Sequence, residues 1–174
     1  MATLAWGQKV SQDFRDAVIQ IAKDFEWTQD HASWLMSCIA FESGETFSPS
    51  VKNAAGSGAT GLIQFMPATA RSLGTTTDAL AGMDSVEQLA YVQQYFEPYA
   101  KRIHTLTDMY MAILLPKYVG QPDHAVLFSG GIAYRQNSGL DTDKDGKITK
   151  AEAAGKIVAK FIKGQSLATD EPDW

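Results

Sequence analysis

T-Q-D-H-A-S-W-L-M-S-C-I-A-F-E-S-G, residues 28–44, reads as a helix that carries a charge where its pattern calls for an apolar side chain. Leu35, Cys38, Ile39 and Glu42 fall three and four residues apart and so share one helix face. Gly44 supplies a natural stop just past the last helical residue. A carboxylate on an apolar stripe loses hydration in its ionised form, and a helix C-terminus adds partial negative charge beside it. Both effects push the pKa of Glu42 upward, which is the property a general acid requires. Taken alone, a Glu near a helix end is more simply read as fraying into water. The residues that follow decide against that reading.

Helical patterning continues through most of the chain. Ser11 is placed to cap a first helix with Asp13 in its opening turn, and Phe14, Val18, Ile21 and Phe25 form its inward face. A long segment from Glu45 to Met66, rich in Gly, Ala, Ser and Asn, reads as an irregular loop, and loops of this length in small domains are usually functional. Pro67 opens a further helix that Gly74 closes. Ser85-x-x-Gln88 has the form of a capping box, followed by a core face of Leu89, Val92, Phe96 and Tyr99 that Pro98 bends or ends. Helices are also expected from about Thr107 to Leu115, over part of His124 to Gln136, and after the capping box Thr149-x-x-Glu152 as far as Gly164. Ile63 to Met66 is the one short strand candidate, and the tail A-T-D-E-P-D-W reads as disordered.

From Phe41 onward the chain runs F-E-S-G-E-T-F-S-P-S-V-K-N-A-A-G-S-G-A-T-G-L-I-Q-F-M-P-A-T-A-R-S-L-G. This resembles the soluble lytic transglycosylase family, whose pattern is Glu-Ser, then Phe-x-Pro, then Gly-Ala-x-Gly-Leu-Met-Gln-x-Met-Pro-x-Thr-Ala. Glu42-Ser43, Phe47 and Pro49, Gly58-Ala59, Gly61-Leu62, Gln64, Met66-Pro67 and Thr69-Ala70 stand in those places. The resemblance implies an all-α, lysozyme-like single domain spanning residues 1–174. It also implies that Glu42 is catalytic and that Ser43, Asn53, Gln64 and Met66 serve substrate binding. Gln64 offers a donor and acceptors to an N-acetyl sugar, and Met66 and Phe47 would form an apolar floor or pack in the core. Ser43 is also a candidate to brace the acid.

The sequence departs from the family in places. Phe47 lies two residues further from the Glu than usual, Asn53 falls where the family tends to have Ser, and Ile63 replaces the first Met. The family's downstream Ala-x-Tyr-Asn-Ala-Gly-Pro-Gly-x-Val is not reproduced. Tyr110, in D-M-Y-M-A-I-L-L-P, is the substitute for its tyrosine, and Tyr134 is a lesser one. This divergence resembles bacteriophage members of the group, an endolysin or a virion-associated lysin.

The resemblance implies a mechanism with one carboxyl group. Protonated Glu42 donates to the oxygen of the β-1,4 bond between N-acetylmuramic acid and N-acetylglucosamine, then takes the proton of the C6 hydroxyl as a 1,6-anhydro ring closes. A tethered nucleophile removes the need for the second carboxylate that most glycosidases use. Glu45, Glu97 and Asp108 are the candidates for such a partner, each also readable as an ordinary charge. The alternative from the same superfamily is a muramidase that hydrolyses the same bond. A further alternative is a non-catalytic, calcium-bound wall-binding or tail component.

Residues 141–152, D-T-D-K-D-G-K-I-T-K-A-E, match an EF-hand loop. Asp141, Asp143, Asp145 and Glu152 stand at the carboxylate positions, Gly146 at the sharp turn, and Lys147 where a backbone carbonyl ligates. Thr149 would hold a water. Converging carboxylates repel one another unless a hard cation sits among them, so one structural calcium ion is expected, with no cofactor for catalysis. The preceding Y-R-Q-N-S-G-L makes a poor entering helix, and with no second loop to pair with, a staple is expected rather than a sensor.

A chain of 174 residues with 45% hydrophobic and 20% charged composition suits one domain. A net charge of −5 without a basic block argues against nucleic acid as a partner. Peptidoglycan glycan strands are the expected partner of a monomer, with no membrane association. The lone Cys38 excludes an internal disulfide, and its place on the apolar stripe suits an inert thiol. His31, His104 and His124 lack a zinc-binding spacing, which disfavours an amidase or peptidase. The first ten residues lack the apolar run of a secretory signal, so synthesis in a host cytoplasm and action on the wall by another route are expected.

Overall fold

The computed structural model describes residues 1–174 and sets the helix carrying Glu42 at the centre of the molecule. The elements are β1 (Ala2–Leu4), α1 (Gln12–Asp24), α2 (Gln29–Glu42), α3 (Pro67–Ser72), α4 (Thr77–Ala81), α5 (Ser85–Phe96) and α6 (Leu106–Leu114). They continue as β2 (Val126–Ser129), α7 (Gly131–Gln136), β3 (Lys147–Thr149), α8 (Lys150–Ala153), α9 (Gly155–Gln165) and β4 (Thr169–Glu171). No helix is long and apolar enough to cross a membrane.

Helix α2 is buried on nearly every side, not along one stripe. Ala32, Leu35, Met36, Cys38, Ile39 and Ala40 are all fully enclosed, and even Ser33 and Ser37 are buried. A helix apolar all round belongs in a core, and α1, β1, α6 and α9 pack against this one. Local signals set its ends. Thr28 and His31 form a capping box at the start. At the finish Gly44 adopts φ 62°, Gly44 N–H donates to Phe41 O at 3.3 Å, and Glu45 N–H donates to Ala40 O at 2.7 Å. That is a Schellman ending, which needs a residue free to turn left-handed at Gly44.

Most expected helices are present, with the Ser11 cap accepting from Phe14 N–H at 3.2 Å and Pro67 opening α3. Four expectations are corrected. The chain is not purely helical, because β1 pairs antiparallel with β4, and β2 with β3. The tail is therefore ordered, with Glu171 buried and ion-paired to Arg15 at 3.0 Å. The helix expected within His124 to Gln136 is present as α7, and ahead of it Val126–Ser129 is a strand that finds its partner in Lys147–Thr149 and buries Leu127. Ile63 to Met66 is a turn in which Phe65 alone makes a bridge, to Thr60. The capping residue of α5 is Asp84, whose carboxylate accepts from Glu87 N–H at 2.9 Å, and this releases Gln88 for another task.

Candidate active site

Glu42 is the last residue of α2, so its backbone is fixed by the helix behind it and the Schellman turn ahead. Its side chain is half-buried, and burial raises its pKa from 4.5 to about 7. Two phenols stand near enough to feel its charge. Tyr95 of α5 is pushed up to about 12, chiefly by burial and in part by Tyr99 and Glu42. Tyr110 of α6 is shifted upward by burial and then by Glu42. The Tyr110 ring meets Phe41 edge-on at 5.8 Å. Cys38, one turn before Glu42, is fully enclosed, and burial raises its thiol pKa, so it is inert.

Ser43 turns inward rather than to the surface. It is buried, its hydroxyl donates to Ile39 O at 2.7 Å and accepts from Phe47 N–H at 3.0 Å, and it braces the turn after the acid. Phe47 is likewise no sugar floor. It lies in the core against Trp6 and Phe14, with ring centroids at 6.1 and 6.0 Å. Its added distance from Glu42 in sequence lets the chain run down into the core before returning to the surface.

The loop from Glu45 to Met66 is held by amide side chains. Gln88, fully buried on α5, accepts from Leu62 N–H at 2.8 Å and donates to Pro49 O and Leu80 O at 2.9 Å. Gly61 is required here for that reason, since at φ 86° any Cβ would collide with the Gln88 amide. Gln64, itself left-handed at φ 55°, donates from Nε2 to Val51 O and Gly61 O at 3.1 Å. Those bonds set its amide across the loop and leave Oε1 as the acceptor that can serve a ligand. Asn53 is exposed and uses Oδ1 to accept from Ala55 N–H at 2.7 Å. Met66 is 46% exposed, which leaves its thioether at the surface instead of in the core. Tyr95 connects this loop to the acid, because its ring meets Phe65 edge-on at 6.4 Å and its hydroxyl donates to Ala112 O at 2.6 Å.

The candidate second carboxylates are committed elsewhere. Glu45 is ion-paired to Lys160 and Lys163 of α9, and hydrogen bonds from Lys160 and then Lys163 lower its pKa to about 2. Asp108 is buried beside Lys150. Burial works against its charge, but Lys150 and the N–H groups of His104 and Gly120 outweigh that and hold its pKa below the ordinary value. Glu97 lies at the exposed end of α5, on a cavity of about 500 Å³ shared with Asp24, Glu26 and Lys101 that does not include Glu42. A smaller cleft of about 280 Å³ is lined by Phe41, the residue before Glu42, and by Tyr110, but not by Glu42 itself.

At the far end, oxygens of Asp141, Asp143, Asp145 and Glu152 lie within 4.8 Å of one another. Gly146 at φ 85° makes the sharp turn, and Lys147 begins β3. Four carboxylates so close suit a hard cation with oxygen ligands. Tyr134 belongs to this end, since its hydroxyl donates to Asp141 Oδ2 at 2.6 Å.

Sequence reasoning missed Gln88, Tyr95 and the cleft. A signal for Gln88 was present: it lies four residues before Val92 and eight before Phe96, a polar residue on an apolar face just as Glu42 is.

No curated protein matches this chain. A comparison with protein families matches residues 21–111 to the Transglycosylase SLT domain, a span just over half of the chain that includes Glu42, Gln64, Gln88, Tyr95 and Tyr110. The chain belongs to this lysozyme-like transglycosylase family, whose members are peptidoglycan-cleaving enzymes.

Proposed function

We propose that the protein is a lytic transglycosylase that cleaves the β-1,4 bond between N-acetylmuramic acid and N-acetylglucosamine and releases 1,6-anhydro ends. Glu42 enters protonated and gives its proton to the glycosidic oxygen as that bond breaks. The resulting carboxylate takes the proton of the C6 hydroxyl, whose oxygen bonds to C1 and closes the second ring. The proton count on Glu42 is restored, and no water is consumed. One observation carries this reading: Glu42 holds a pKa of about 7 by burial, while Glu45, Glu97 and Asp108 are paired or placed elsewhere. A hydrolase of this class uses a second carboxylate to activate water. The glycan would lie over Met66, Gln64 Oε1, Asn53 and Tyr110, with Ser43 and Gln88 as positioning residues.

Mass spectrometry of the muropeptides released from purified cell wall tests the assignment. Transglycosylase products lack one water relative to muramidase products, and Glu42→Gln abolishes release of either. Hydrated products would assign a muramidase instead. Full turnover by Glu42→Gln would leave only a wall-binding role.

The carboxylate cluster is read as one structural calcium site. Asp141, Asp143, Asp145 and Glu152 would hold the ion by side chains and Lys147 by its carbonyl, and the ion would supply charge neutralisation and nothing to the chemistry. The spacing of the loop residues supports this. The departures of the segment after residue 100 from the family pattern support a bacteriophage lysin acting on a host wall.

A further inference from the structure

The turn that follows Glu42 holds residues in a conformation that side chains disfavour. Gly44, Glu45 and Phe47 take positive φ, at 62°, 66° and 51°, and only the first is a glycine. A left-handed residue that bears a side chain persists only where its surroundings over-determine it. Two attachments do so here. Phe47 is buried between Trp6 and Phe14. Glu45 reaches across to α9, where Oε1 and Oε2 accept from Lys163 Nζ at 2.7 and 2.9 Å and Oε2 also accepts from Lys160 Nζ. The same stretch of α9 holds Trp6, whose Nε1 donates to Lys160 O at 3.0 Å and whose ring lies 5.7 Å from Lys163 Nζ. Trp6, Phe47, Glu45 and the two lysines therefore close a ring of contacts around the turn. Glu45 N–H also donates to Ala40 O, so the residue that α9 grips is the one that ends the helix of the acid.

We propose that Glu45 is a positioning residue for Glu42: clamped by Lys160 and Lys163, it fixes the turn that aims the acid and makes α9 part of the catalytic unit. The inference rests on the reading of Glu42 as the general acid. Only Ser43 and Gly44 separate the two residues, so a shift of Glu45 is passed on to Glu42. A proton donor must lie within hydrogen-bond reach of its target oxygen, and a misplacement of about 1 Å costs on the order of a hundredfold in rate. The clamp is intact wherever Glu42 can hold its proton, because hydrogen bonds from the lysines lower the Glu45 pKa to about 2 and burial raises that of Glu42 to about 7. The stretch from Glu42 to Phe47 is two residues longer than the family pattern, and Lys160 and Lys163 lie beyond the matched span 21–111. The clamp thus belongs to what this chain adds to the common catalytic part.

The test is steady-state kinetics on soluble, uncrosslinked glycan strands, with binding of the same strands measured on each variant combined with Glu42→Gln. Glu45→Gln should lower kcat about 10–100-fold while KM stays within about twofold of wild type. Lys160→Ala with Lys163→Ala should do the same, and the triple variant should lose no more than either, because the three side chains act as one clamp. Lys160→Arg with Lys163→Arg keeps both charges and should retain most of the wild-type kcat. Partly exposed ion pairs add little stability, so Tm should fall by no more than about 4 °C in these variants. In the Glu42→Gln background the strands should bind all of them equally. Unchanged kcat would make the clamp an ordinary surface ion pair, and a raised KM with weaker binding would make these residues substrate contacts; each outcome overturns the proposal. Should Glu45→Gln fold poorly, the lysine double variant decides alone, since it changes only partly exposed side chains of α9. A wild-type protein that cleaves no glycan would refute the Glu42 reading itself, whereas every clamp result is a ratio to an active wild type.

Discussion

Replacing Glu42 by Gln should inactivate the protein and at the same time stabilise it, by an amount that depends on pH in a defined direction. Burial raises the Glu42 pKa from 4.5 to about 7, so the folded chain holds this proton more tightly than the unfolded chain does. The stability contributed by that proton is complete below about pH 4.5 and is lost as pH rises through about 7. A shift of this size corresponds to about 3 kcal/mol, and because Glu42 keeps partial exposure this is a ceiling. Glutamine has nearly the same shape and never ionises. The variant and wild type should therefore unfold alike in urea at pH 4, and the variant should be more stable by up to about 3 kcal/mol at pH 8.5. In thermal melts at the higher pH that is about 6–12 °C for a domain of this size. A gain of the same size at both pH values, or a loss at pH 8.5, would refute the view that Glu42 is held poorly hydrated at the end of α2.

The pH dependence of kcat/KM should show the same group, with activity falling above about pH 7 as the acid is lost, measured by turbidity loss of cell-wall suspensions. Gln88→Ala should cost about 3 kcal/mol in urea unfolding, because three hydrogen bonds vanish and Leu62 N–H is left buried without a partner. The same substitution should speed proteolysis within residues 48–64. Lys150→Ala should cost about 3–5 kcal/mol by stranding the buried Asp108 charge. Chelating calcium should lower Tm by about 5–10 °C relative to protein at a hundredfold excess over Kd, and Asp143→Asn should blunt that difference. An unchanged melt would remove the ion from the account.

What was legible and what was not divide along the length of chain each feature needs. The capping of α1 by Ser11, the Gly44 stop and the Thr149–Glu152 box are settled by atoms within a few residues of one another, so periodicity and cap chemistry suffice. The helix expected within His124 to Gln136 is α7, but the strand Val126–Ser129 ahead of it was not seen, because four mostly apolar residues fit either state. Its partner, not its own sequence, makes it a strand. Phe47 was open between groove floor and core, because its motif neighbours suit the one and its ring the other, and the core position between Trp6 and Phe14 claims it. Gln88 was taken for a cap because local form permitted one, while the loop it holds lies up to 39 residues away.

The amino-acid order alone determined the acid, the helix that ends at it, the glycine-laced loop and the spacing of the four carboxylates. Each is written in contiguous residues whose geometry the backbone enforces. Only the tertiary structure decided how deeply Glu42 is shielded from water, and hence its pKa of about 7. It also decided that Glu45 and Asp108 were already taken by lysines, and that a cleft opens where α2 meets the C-terminal unit. Desolvation and ion pairing depend on which distant segments come together, and no local periodicity carries that information.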